Sequence, residues 1–281
     1  MINVIRKLIK PTTSPNDHKQ LQQTLYDVIM KDELDIAEKI HEVNELLIDY
    51  KRPLRRDRQD FIFNKIMNIF DTYITFEKEC EPTNFNILDI GGGNGYILKR
   101  FGKQYDLLPE NLICLENSNF ETEFRYKFDT SGIEYCFDPI HIEESPIMFN
   151  IIICMVSLHH MKDEYIEKTI LPLIKRKLKT NGILIIKEHD AYSDDIVECV
   201  HWEHHLYSIL DTTNKSDPDK YLNNYVGNYK SKEVISSMFT TNGFRVLKTF
   251  NNIFEPMPND FSGNANKAPT KLYWQVFTKV E

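Results

Sequence analysis

Residues 88–101 read LDIGGGNGYILKRF, and the reading of this stretch decides the fold. A short apolar run, NILDI (86–90), ends in four glycines within five positions, GGGNG (91–95). A helical pattern, YILKRFGKQY (96–105), follows at once. Glycines at a strand-to-helix turn tolerate positive φ and let backbone amides approach a ligand closely. The turn lacks the Lys-Ser/Thr pair of a P-loop, which argues against a nucleoside triphosphate. It also departs from GxGxxG, because Tyr96 stands where the third glycine would be, and that argues against a dinucleotide. An acidic residue, Glu116 in NLICLEN (111–117), closes the next apolar run. At the switch point of an open α/β sheet such a carboxylate can accept both ribose hydroxyls of a nucleoside.

Outward from the turn, short apolar runs alternate with helical segments, the pattern of βαβ units on a parallel sheet. After NLICLEN come IEYCF (133–137), NIIICMV (150–156) and GILIIKE (182–188). Between the last two, DEYIEKTILPLIKRKLKTNG reads as an amphipathic helix ended by Asn181-Gly182. DDIVECVHWEHHLYSIL (194–210) and SKEVISSMFTTNGF read as helices, and FRVLKTF (244–250) and KLYWQVFTK (271–279) as two late strands. Upstream, residues 15–80 read as helical: Leu34, Ile36, Ala37, Ile40, Val43, Leu46 and Leu47 recur near a 3.6-residue period. The expected division is a helical region at 1–80 and an α/β domain at 81–281 with an insertion near 211–230.

The 281 residues carry a net charge of −8, which argues against a broad basic face for duplex nucleic acid. One local exception is YKRPLRRDR (50–58), where Lys51, Arg52, Arg55, Arg56 and Arg58 crowd together. It reads either as a solvated basic segment or as an anion site for a phosphorylated or RNA substrate. The five cysteines are scattered and form no CxxC pair, as expected for reduced thiols in the cytoplasm. No run of about 18 apolar residues suggests a membrane span.

Taken in order, these motifs resemble the class I S-adenosylmethionine-dependent methyltransferases over roughly residues 82–280. LDIGGGNG resembles the family's first motif, ICLEN the second, and IEYCFD the third. FNIIICMVSLHHMKD resembles the fourth, with the LHH of many small-molecule members, and LKTNGILIIKEHD the fifth strand with its approach. The resemblance implies a Rossmann-like seven-stranded sheet with an antiparallel last strand, preceded by a helical cap. It implies S-adenosylmethionine as cofactor, held by Asp89, Gly91, Gly93, Asn94, Glu116, Asp138 and Met155. Asp138 would stand at the adenine amino group.

Six of the nine histidines fall at 159, 160, 189, 201, 204 and 205. His159 and His160 follow the fourth strand and His189 the fifth, where ligands bind outside the carboxyl ends of parallel strands. A histidine there suits general-base work. His159, Glu188 and His189 are therefore the expected catalytic residues, with His160, His201, Arg55 and Arg56 on the substrate side. Lys187 alternates to the other face of the sheet. Asp190 reads as a cap for the helix that follows it. HWEHH (201–205) lacks the HExxH signature, so no metal is expected, and the helix reads as an amphipathic lid. Three readings stay open: a methyltransferase for an unassigned acceptor, most simply a small molecule; an RNA or nucleotide methyltransferase recruited by 51–58; and a non-catalytic binding subunit on the same scaffold. Oligomeric state is not legible.

Overall fold

A computed structural model describes residues 1–9, 15–50, 58–74, 85–117, 131–210, 218–251 and 270–280. The chain opens with helices α1 (Ile2–Leu8), α2 (Pro15–Ile29), α3 (Ile36–Leu46) and α4 (Arg58–Tyr73). The α/β part follows as β1 (Ile87–Ile90), α5 (Tyr96–Tyr105), β2 (Leu112–Leu115), β3 (Glu134–Cys136), α6 (Pro139–Glu144) and β4 (Phe149–Met155). A wide π-helical turn, Ile166–Ile170, leads into α7 (Leu171–Lys177) and then β5 (Leu178–His189). The chain continues with α8 (Asp194–Leu210), α9 (Pro218–Asn224), α10 (Lys232–Thr241), β6 (Phe244–Phe250) and β7 (Leu272–Lys279).

The seven strands form one sheet in the order β3-β2-β1-β4-β5-β7-β6. The first five are mutually parallel, and β7 runs antiparallel to both β5 and β6. The expected sheet and its reversed last strand are both present. Chain direction fans out from β1 toward β2 on one side and β4 on the other, so the crevice opens at the carboxyl ends of β1 and β4. Strands buried on both faces need apolar residues at successive positions. Ile87-Leu88, Ile151-Ile152-Ile153 and Ile183-Leu184-Ile185-Ile186 supply them, and all are buried.

Two apolar clusters clothe the two faces of the sheet. One joins Leu88, Ile152, Leu184, Ile170, Leu173 and Phe239; the other joins Ile87, Ile151, Ile185, Trp274 and Phe101. Helix α4 packs into the second cluster through Phe63, Ile66 and Phe70. Helices α1–α3 build a separate core, in which Val4, Ile5, Leu25, Ile40 and Val43 meet Cys199, Trp202, Leu206 and Ile209 of α8.

Two expectations are corrected. The helix before β5 ends at Lys177, not at Asn181-Gly182, because Leu178 already pairs with Phe149 across a bulge and 178–181 lie in extended backbone. Asp190 does not cap α8: it accepts from the Lys232 amide at 3.1 Å and pairs with Lys232 Nζ at 3.0 Å, at the start of α10. Helix α8 is packed on more than one side. One side packs on α1–α3, and Ile196 and Val200 on another side pack with Ala191 and Tyr229. The insertion also holds α9, which the polar composition of DTTNKSDPDKYLNNYVGNY concealed.

Trp202 is 3% exposed at the centre of the α1–α3–α8 core. Trp202→Ala should lower stability by about 3–5 kcal/mol, read as a shift of the urea unfolding midpoint. A change below about 1 kcal/mol would show that these helices contribute no packed core.

Candidate active site

The glycine turn adopts the conformation its sequence allows. Gly91, Gly93 and Gly95 have φ of 73°, 60° and 65°, a region costly for other residues. A Cβ on Gly91 would lie 2.6 Å from Ser157 Cβ, and one on Gly95 2.0 Å from Ile133 Cδ1, so both are needed for close approach as well. A Cβ on Gly93 would meet nothing within 4 Å, which marks the open side of the turn. The Gly91 amide donates to Leu115 O at 2.8 Å, and the Gly93 amide to Glu116 Oε1 at 2.5 Å. Tyr135 Oη donates to Gly93 O at 3.1 Å. Asn94 Oδ1 accepts from the Tyr96 amide and so starts α5.

Beneath the turn, Asp89 is 1% exposed, and among the described residues neither carboxylate oxygen has a hydrogen-bond partner. Burial first, then the Glu116 carboxylate, pushes its pKa up to about 8. Burial also raises Glu116, against the pull of the Gly93 and Asn117 amides. Asp138 sits at the end of β3, where its Oδ1 caps α6 by accepting from the Ile140 amide at 3.0 Å. Met155 is half-buried at the end of β4. The turn, Glu116 and Met155 thus lie at the switch point where the sequence places them.

The second half of the site grows from the end of β4. Val156 has φ of 53°, an outlier for a β-branched residue, and its amide donates to Lys187 O at 2.7 Å. The strained residue turns the chain so that Ser157, Leu158 and His159 face the end of β5. There Glu188 Oε1 accepts from the Ser157 and Leu158 amides at 3.0 and 2.8 Å, and Oε2 meets His159 Nδ1 at 2.6 Å. Burial pushes the Glu188 carboxyl up, but His159 and the Leu158 amide outweigh it and hold it below the ordinary value. Through these contacts Glu188 holds the His159 ring in place. Lys187 is buried away from the crevice, with Nζ 5.7 Å from the centre of the Trp274 ring.

Around His159 the structure gathers rings from distant segments. His160 lies 4.1 Å away between ring centres, His204 5.0 Å, His189 5.5 Å and Tyr229 4.8 Å. His189 Nε2 is 3.2 Å from His204 Nε2. His201 Nδ1 meets Tyr225 Oη at 3.0 Å, and Tyr225 Oη meets Tyr229 Oη at 2.8 Å. The segment after α9 is pinned over this cluster. Asn228 donates from its amide to His159 O and from Nδ2 to Met161 O, and Lys230 pairs with Asp163. Burial, then the charges of His159 and His160, push His204 down to about 2. A cavity of about 10 Å³, room for roughly one water, lies beside His159, Glu188 and His189.

His159, Glu188, His189, His160 and His201 therefore belong to one cluster, whereas Arg55 and Arg56 lie outside the described residues. The shared helix face of His201 with His204 or His205 was legible in HWEHH, since i, i+3 and i, i+4 residues lie side by side; sequence reading missed Tyr225 and Tyr229 as members of that cluster.

A family model described as a methyltransferase domain matches residues 54–249. No curated protein matches the chain significantly. Among solved structures, it is similar to one titled a pericyclic reaction enzyme (13% identity, 75% of this chain and 46% of that one, TM-score 0.48). The chain thus spans less than half of that protein. It is also similar to a putative S-adenosylmethionine-dependent methyltransferase from Listeria monocytogenes (16%, 76% and 97%, TM-score 0.45) and to the mitomycin 7-O-methyltransferase MmcR (13%, 95% and 69%, TM-score 0.46).

His205 is 3% exposed and meets Tyr221 Oη at 3.1 Å. Burial, then His201, lowers its pKa from 6.5 to about 4. The folded chain therefore stays neutral here where the unfolded chain takes up a proton. Stability from this residue is complete above the unfolded value and is lost as pH falls below it, by about 2 kcal/mol at pH 5. Urea unfolding at pH 7 and pH 5 should show a smaller acid loss in His205→Gln than in the wild type. An equal loss in both would contradict the assignment.

Proposed function

The chain belongs to the methyltransferase-domain family, and from that premise we propose that it transfers a methyl group from S-adenosylmethionine to a small-molecule acceptor bound in the histidine–tyrosine crevice. S-adenosylmethionine is the family's cofactor. The observation that carries the reading is the pairing of an open glycine turn with Glu116 across the β1–β2 edge of the crevice. The residues fit the group. The Gly93 amide and the Glu116 carboxylate satisfy each other here, and ribose hydroxyls can replace the amide as donors to the carboxylate. The two buried oxygens of Asp89 suit a ligand ammonium or hydroxyl donor. Bound there, the cofactor supplies a sulfonium methyl that passes to an acceptor lone pair, leaving a neutral thioether.

The chain's own residues do the rest. Gly91, Gly93 and Gly95 keep the turn free of side chains, Glu116 orients the nucleoside, and Met155 borders the crevice. On the acceptor side, Glu188 fixes the His159 ring through Nδ1 and leaves Nε2 facing the cluster. A neutral imidazole so held can accept the proton that an acceptor hydroxyl or amine gives up. The segment at 225–230 covers the rings, and positioning of a bound acceptor beneath it would favour in-line approach. A small acceptor is favoured because Tyr225, Val226, Asn228 and Tyr229 close over the rings. Among the described residues no helix is long and apolar enough to cross a membrane.

Titration calorimetry with S-adenosylhomocysteine is the direct test. The wild type should bind, and Glu116→Ala should bind at least tenfold more weakly, about 1.4 kcal/mol. Absence of wild-type binding, or undiminished binding by the variant, would sink the proposal.

A further inference from the structure

We infer that His159, His160 and His204 form a three-imidazole site for a divalent transition-metal ion, Zn²⁺ by preference, at the acceptor end of the crevice. One ring nitrogen from each residue lies within 4.8 Å of the other two. The three come from two pieces of chain, the turn after β4, which supplies His159 and His160, and the middle of α8, so local sequence does not bring His204 to the other two. Ring centres of His160 and His204 are 5.6 Å apart, and each is equally close to His159 or closer.

The outer partners prepare the rings as ligands. Glu188 Oε2 holds His159 Nδ1 at 2.6 Å, and Val226 O accepts from His160 Nδ1 at 2.9 Å. An acceptor at Nδ1 fixes the proton there and leaves Nε2 with its lone pair facing inward, as carboxylates and carbonyls do behind metal-bound histidines. His159 is 2% exposed, and among the described residues its Nε2 has no hydrogen-bond partner. A buried lone pair left so is costly, and a cation satisfies it. Three neutral imidazoles with one position left over match the ligand set of catalytic Zn²⁺. Zn–N bonds of about 2.0–2.1 Å place tetrahedral nitrogens roughly 3.3 Å apart, so the rings must close by about 1 Å or a little more. His160 is exposed, which gives the ion a way in.

Metal binding is independent of the methyl-transfer reading. The role it would play rests on that reading and would replace the general-base role of His159, whose Nε2 the ion would occupy: an acceptor oxygen in the fourth position would lose its proton to solvent more easily and present a lone pair to the methyl.

The test uses the full chain without a histidine tag, stripped with a chelator and titrated with Co²⁺ and then with Zn²⁺. The wild type should bind one Co²⁺ with the visible absorption of a tetrahedral nitrogen-ligated ion, which Zn²⁺ bleaches. His204→Ala and His160→Ala should each weaken binding at least a hundredfold. The second variant alters an exposed ring, so its fold should be intact by circular dichroism. His141→Ala, on the exposed side of α6, should bind as the wild type does. No Co²⁺ signal in the wild type, or an unchanged affinity in folded His160→Ala, overturns the site. S-adenosylhomocysteine binding measured on the same samples reports the cofactor site separately, so the two readings can fail apart.

Discussion

The buried carboxylate of Glu188 is the constraint on which the histidine cluster depends. It lies 3% exposed at the end of β5 and accepts from the Ser157 and Leu158 amides and from His159. A buried charge is tolerable only when its oxygens are fully engaged, and here each oxygen has a donor. The same bonds tie the ends of β4 and β5 together and hold Val156 in a conformation that costs a β-branched residue about 1–3 kcal/mol. Strain of that size persists only where surrounding bonds impose it. Glu188 supplies them, and the result is a fixed His159 ring.

From that ring the order spreads outward. His159 offers its carbonyl to the Asn228 amide, and Asn228 and Lys230 reach back to Met161 and Asp163, so the covering segment is latched to the turn it covers. Behind the cluster, α8 is braced by α1–α3, whose apolar residues pack on Trp202, Leu206 and Ile209. The N-terminal helices thus touch the chemistry indirectly, by fixing the helix that carries His201, His204 and His205. The cofactor half is built differently, mostly from backbone. Its geometry comes from glycine φ values, and it needs few side chains beyond Asp89 and Glu116.

That difference explains what could be read in advance. Strands β1, β2, β4 and β5 were legible because each is an apolar run bounded by turn residues. The glycine turn was legible because its positive φ values favour glycine. Glu188 was legible as a residue of the crevice but not as the positioner of His159, since its partners lie about 30 positions away. Asp190 and the end of α7 were misread for a similar reason. Their local pattern fits a cap and a Gly-terminated helix, and long-range pairing with Lys232 and Phe149 overrides both.

By itself, then, the sequence determined the fold class, the strand order implied by it, and the glycine turn at the carboxyl end of β1. These depend on periodicity, burial and backbone freedom, which are properties of short segments. Only the tertiary structure decided that histidines from 159 to 204 share one cluster with tyrosines from the insertion. It also decided that three of them converge within reach of one ion. Such convergence depends on how α8 is held between two cores and how the 225–230 segment returns across β4. No local pattern encodes the distance between side chains that chain topology, not spacing, brings together.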